Sequence, residues 1–174
     1  MPTAIAIHAD LPLAWHPDQA PATGDGVLLL RVLSLLEASP PHLDDEDGPD
    51  SLRWQALEAR IDLCLQLIGQ LLARGAPLPP VASVALNGES ARWRAAAPIA
   101  PGERGALGLY LSPRIPQALL LPAVITGCSP DGDRWLVDAH FELHDDELQD
   151  WLDKTIFRRH RREIFDRKHP SHDD

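Results

Sequence analysis

Arg158 and Arg162 lie four residues apart near the end of the chain and are the first residues whose spacing suggests chemistry. On a helix, positions i and i+4 share a face, so two forked guanidinium groups there can converge on one anion. Arg161 would point elsewhere. The plainer reading of the same residues is the solvated basic end of a helix. Arg92 and Arg94 flank Trp93, an arrangement that can stack on a base; a tryptophan packed in a sheet wall explains the same residue more simply. His140 and His144 are also four apart, but they fall at a strand end and in the turn after it, with no third ligand at suitable spacing, so no metal site is expected. Asp145-Asp146 reads as the start of a helix and not as an acid/base pair. His160, between Arg159 and Arg161, reads as a surface residue. The chain contains no P-loop, GxSxG or GxGxxG pattern. No set of nucleophile, base and orienting group can be assembled, and an enzyme is not expected.

The elements that would position these residues can be read from turn chemistry and periodicity. A strand texture runs from Pro77 to Leu143: Val81–Leu86, Ala91–Ala96, Ala106–Leu111, Ala118–Thr126 and Arg134–Glu142. Asn87-Gly88, Pro101-Gly102-Glu103, Ser112-Pro113 and Pro130-Asp131-Gly132-Asp133 punctuate these runs. Trp135, Val137, Ala139 and Phe141 alternate with Asp138, His140 and Glu142, which marks one wet face. Short antiparallel strands in so few residues suit a small closed barrel, since closure removes exposed edges. A helix comes next, from about Asp145 to Lys168. His144 or Asp145 caps it, its acids lie at the positive end of the helix dipole, and its arginines lie toward the negative end.

Upstream, residues 1–22 read as an extended arm in which Leu11, Leu13 and Trp15 form a short, proline-tolerant edge strand. Val27–Ala38 reads as a short helix stopped by Ser39-Pro40-Pro41. Residues 39–51 form an acidic Pro/Gly linker. Leu52–Arg74 is the clearest helix of this half. Trp54, Leu57, Ile61, Cys64, Ile68 and Leu71 succeed one another at 3,4,3,4,3 spacing, a heptad seam. Leu63, Leu65, Leu67 and Leu72 add a second apolar line, so this helix is expected to pack on its own domain and also on a second copy. An all-round buried core helix is the competing reading. The layout is therefore an arm, short helix and linker over 1–50, the heptad helix over 51–76, a barrel with its closing helix over 77–168, and a disordered tail over 169–174.

The chain has 174 residues, 44% hydrophobic and 24% charged, with a net charge of −10. That charge argues against DNA or RNA as a partner, because phosphate attraction needs the opposite sign. From Lys154 to Lys168 there are seven Lys/Arg and two acids, a local +5 that leaves −15 on the remainder. An acidic body with one basic helix implies an anionic ligand, an acidic partner or self-complementarity. No apolar run reaches the roughly 20 residues of a membrane span. The start, MPTAIAIHAD, has no signal character, and a cytoplasmic location is expected. Cys64 and Cys128 read as two buried thiols.

In this order and spacing the chain resembles the PilZ domain family, as an atypical member with a helical N-terminal extension. The resemblance covers roughly Ser51 to Lys168. It is carried by Leu78-Pro79-Pro80 leading into VASVALNGESARW, by the Pro101-Gly102 turn before GALGLYL, and by the terminal WLDKTIFRRHRREI. It implies a mainly β fold: a six-stranded antiparallel barrel, one long helix before it and one basic helix after it. It also implies a cyclic di-GMP signalling context. The family's ligand motifs are RxxxR before the barrel and [D/N]xSxxG on an early strand and turn. Here Ala85 stands at the Asp/Asn position, Asn87 at the Ser position and Ser90 at the Gly position. Arg74 has no second arginine at RxxxR spacing. The usual dinucleotide site is therefore expected to be lost. The expected role is a non-catalytic adaptor without a cofactor, self-associating through the 52–74 helix and contacting a further protein. The alternative is a direct cyclic di-GMP receptor using Arg158, Arg162 and Arg92 or Arg94.

Overall fold

Six strands and two complete helices are seen in the computed structural model, which describes residues 5–19, 21, 23–37, 54, 57, 60, 61, 64, 68, 77–115 and 117–168. The order is β1 (Ile7–Pro17), α1 (Thr23–Glu37), β2 (Val81–Leu86), β3 (Ser90–Ala95), β4 (Arg104–Leu109), β5 (Leu119–Asp131), β6 (Arg134–Phe141) and α2 (Asp146–Lys168). The strands close into a barrel in the order β1-β2-β3-β6-β5-β4, every pair antiparallel. Trp54, Leu57, Arg60, Ile61, Cys64 and Ile68 are helical. Leu71, the 39–51 linker and the 169–174 tail lie outside the described residues.

The first strand corrects the edge-strand expectation. Ile7 to Pro12 pairs with β2, and Leu13 to Pro17 pairs with β4, so the arm is the strand that closes the barrel. Proline is tolerated because the pairing changes sides at this point. Pro12 has no N–H to donate, and its carbonyl accepts from Tyr110 N at 3.1 Å, while Leu13 N donates to Pro80 O at 3.3 Å. β5 runs past the expected stop at Thr126. A register shift between Ile125 and Gly127 lets it continue beside β6 to Asp131, where Gly132 (φ 66°) makes the turn.

One hydrophobic core joins the barrel interior to both helices. Val84, Leu86, Trp93, Leu107, Leu109, Leu119, Leu121, Ile125 and Val137 fill the interior, while Leu30 and Leu33 of α1 and Leu148, Leu152 and Ile156 of α2 cover it. Trp15 stacks on Trp93 with ring centroids 6.4 Å apart and donates its Nε1–H to Glu103 at 2.6 Å. The apolar body of each tryptophan is packed, and Trp93 takes the sheet-wall role. α1 and α2 meet where Gly26 approaches Leu148. α2 begins as its sequence implies: Asp145 Oδ1 accepts from Glu147 N at 2.8 Å and from Leu148 N at 3.4 Å. The two thiols depart from expectation. Cys64 is exposed and Cys128 is half-buried, because the helix that carries Cys64 presents that face to solvent in the single chain.

Candidate functional site

Three places gather the residues singled out by sequence. The first is a shallow hollow of about 570 Å³ on the outer barrel wall, over β2, β3, β5 and β6. Ala85, Asn87, Ser90 and Arg92 all line it, together with Asp138 and His140. Register explains the gathering. Ala85 sits beside Arg92, Arg92 beside Asp138, and Ser90 beside His140. Asn87, Ser90, Arg92, Thr126 and Asp138 are already engaged, and His140 is the one polar side chain of this lining with no hydrogen-bond partner among the described residues. Asn87 Oδ1 accepts from Glu89 N at 2.8 Å, Ser90 N at 2.7 Å and Ser90 Oγ at 3.1 Å, so its side chain builds the hairpin turn. Arg92 Nε donates to Asp138 Oδ1 at 2.5 Å. Ala85 offers a methyl group and no donor. A hollow whose single guanidinium carries its own carboxylate partner has little net field for a phosphate.

Arg94 lies two residues on and faces the same outer surface. It donates from Nε to Asp131 Oδ2 at 2.5 Å, away from the hollow that holds Arg92. The two arginines that flank Trp93 thus serve separate cross-strand ion pairs, and buried Trp93 presents no face to a ligand.

The second place is the meeting of α2 with the end of α1. Arg158 Nη2 donates to Ser34 Oγ at 2.9 Å, and Arg162 Nη2 donates to the Glu37 carbonyl at 2.9 Å. Arg159 reaches the same corner, donating to Glu37 Oε1 at 2.5 Å and to the Leu111 carbonyl at 2.8 Å. Arg158 and Arg162 therefore do share a face, but the face is turned to α1. α1 has no basic residue in its last turn. Its free carbonyls and negative dipole end receive cations from α2 instead. Arg161 points elsewhere, as its spacing implies, and lies over the Phe157 ring at 5.9 Å.

Sequence reasoning did not single out Glu37 or Arg159. One signal was present: an acid at the C-terminal end of a helix opposes that helix's dipole, which calls for a cation from another element. It also missed the tip of the β2–β3 hairpin as a docking point. Gln149 Nε2 donates to Gly88 O at 3.0 Å, and a Cβ on Gly88 would lie 1.9 Å from Asp153 Oδ1. A side chain at position 88 would make the exposed Asp153 carboxylate turn aside.

The third place is the heptad helix. Trp54 (61%), Leu57 (46%), Ile61 (49%) and Ile68 (53%) are exposed large apolar residues in the single chain, and Cys64 is exposed beside them. Among the described residues, no group of three or more His, Cys, Asp or Glu could hold a metal ion, and no helix is long and apolar enough to cross a membrane.

A closed six-stranded antiparallel barrel covered by helices is the architecture of a PilZ domain. Residues 30–169 match the atypical PilZ domain, a family described as a cyclic di-GMP receptor, and the chain belongs to that family. Among the solved structures that match is a pathogenic protein from Xanthomonas campestris, a tetrameric PilZ domain self-assembled via an unusual helical bundle. The chain is 27% identical to it, with a TM-score of 0.81 over 95% of this chain and 93% of that one. No curated protein matches.

Proposed function

We propose that this atypical PilZ domain is a non-catalytic cytoplasmic adaptor in cyclic di-GMP signalling that self-associates through its 52–74 helix and has lost the usual dinucleotide site. The observation that carries this reading is the exposed apolar line of Trp54, Leu57, Ile61, Cys64 and Ile68. Water-exposed heptad positions on a helix are stabilised by knobs-into-holes packing on further copies. The helical bundle of the Xanthomonas protein supports assembly of this kind. Loss of the dinucleotide site is supported by the hollow, where Ala85 supplies no donor, Asn87 holds a turn and Arg92 is neutralised by Asp138. An unidentified protein would then receive the signal.

Light scattering on the full chain, with and without cyclic di-GMP, tests the proposal. The wild type is expected to exceed monomer mass, and Ile61→Asp with Ile68→Asp to give a folded monomer by circular dichroism. A monomeric wild type refutes it. The family description favours a second reading, direct reception of cyclic di-GMP through Arg158, Arg162 and Arg92 or Arg94. Calorimetry separates the two. Saturable cyclic di-GMP heat that disappears in Arg158→Ala or Arg162→Ala supports the second reading, and the first expects none.

A further inference from the structure

Three guanidinium groups and one carboxylate meet at the end of α1. Arg159 and Glu37 are 19% and 15% exposed, and Arg158 is 31% exposed. Among the described residues Glu37 is the one acid in ion-pair range of Arg158 and Arg159, and Arg162 touches only its carbonyl. Among the described residues three cations stand against one anion, and the negative end of the α1 dipole offsets part of the difference. The remaining surplus lies on partly buried Arg158 and Arg159 beside exposed Arg162, and it favours a further anion.

The cluster also has an unfilled point. Arg158 Nη1 and Glu37 Oε2 stand 3.9 Å apart, both buried and both without a hydrogen-bond partner. A buried donor on a charged group that makes no bond costs free energy, and an acceptor placed there relieves it.

We propose that Arg158, Arg159 and Arg162 form a binding site for a phosphate-monoester-type dianion, which enters between Arg158 Nη1 and the Glu37 carboxylate. A phosphate monoester carries about two negative charges at neutral pH and three acceptor oxygens, which suits a surplus of cations with forked donors. A phosphodiester, with one charge per phosphate, matches it less well. Glu37 keeps its bond to Arg159 and acts as the internal competitor for Arg158. The site is separate from the hollow over β2 and β3, and it does not rest on the self-association reading.

The test titrates the full chain with inorganic phosphate at constant ionic strength, chloride serving as the reference anion, and reads heat and the thermal unfolding midpoint. Wild type is expected to show saturable binding that chloride does not reproduce. Glu37→Gln, which removes the competing charge, should bind at least about tenfold more tightly, the equivalent of one charge-assisted hydrogen bond. Arg158→Gln and Arg162→Gln should lose the binding. Arg167→Gln, on the same helix but directed at Glu163, should keep it. Binding that Arg158→Gln and Arg162→Gln leave unchanged, or no saturable binding in wild type and Glu37→Gln alike, overturns the proposal. If Glu37→Gln does not fold, wild type against Arg162→Gln decides, since exposed Arg162 makes one bond and its loss is tolerated.

Discussion

Replacing Arg159 by alanine measures what the α1–α2 corner contributes to stability. Arg159 bridges Glu37 Oε1 and the Leu111 carbonyl, and both charged side chains are mostly buried. Arg158 stays 3.9 Å from Glu37 Oε2, so the loss is that of two hydrogen bonds made by a charged group, each about 1.5–3 kcal/mol. Residual solvent contact at both side chains sets the expectation at the lower end, about 3 kcal/mol. The contrast is with Arg94→Ala. Arg94 and Asp131 are 58% and 37% exposed, and an exposed ion pair contributes about 0–1 kcal/mol. In a chain of this length about 3 kcal/mol corresponds to a midpoint lower by roughly 6–12 °C. Urea unfolding at one fixed protein concentration is the assay, because self-association adds a concentration-dependent term. The Glu37→Gln background supplies the second leg of a double-mutant cycle. With the carboxylate already neutralised, Arg159→Ala should cost about 1 kcal/mol, a coupling of about 2 kcal/mol. A cost for Arg159→Ala no greater than that for Arg94→Ala, or a coupling near zero, would refute the structural role of the corner.

Other outcomes can be checked with the same assay. Asp145→Ala removes the N-cap of α2 and should cost about 1 kcal/mol, with no change in the barrel's near-ultraviolet dichroism. Trp93→Ala empties the centre of the barrel; a loss of about 3–5 kcal/mol is expected, with disappearance of the near-ultraviolet signal of the Trp15–Trp93 stack. Gly88→Val displaces the exposed Asp153 carboxylate and should cost about 1 kcal/mol. Asp153→Ala should return part of that loss, and no recovery in the double variant would show that the hairpin tip does not limit the approach of α2.

Much of the fold is legible in local chemistry. Asn87-Gly88 marks a hairpin, because a short polar side chain can accept the turn's own amides, and Asn87 does so. The alternation of Val137, Ala139 and Phe141 with Asp138 and His140 marks a strand with one wet face, since successive side chains in a strand point to opposite sides. Asp145 marks the start of α2 because the first amides of a helix need an acceptor. Charge and heptad spacing likewise single out the two helices to which the proposals assign a role.

Contacts between residues distant along the chain were decided only by the tertiary structure. Pro12 within the arm argues for an edge strand, yet closure of the barrel gives Ile7–Pro12 and Leu13–Pro17 a partner each. The spacing of Arg158 and Arg162 correctly puts them on one face. Nothing local states that the face looks toward Glu37, which lies 122 residues before Arg159. Arg92 looks free in sequence and meets Asp138 only because β3 and β6 are neighbours in the barrel. Turns, caps and alternation are set by interactions within a few residues, and the chain carries them openly. Ion pairs between strands and between helices have no period, so which cations remain available to a ligand is settled by the packing of the folded chain.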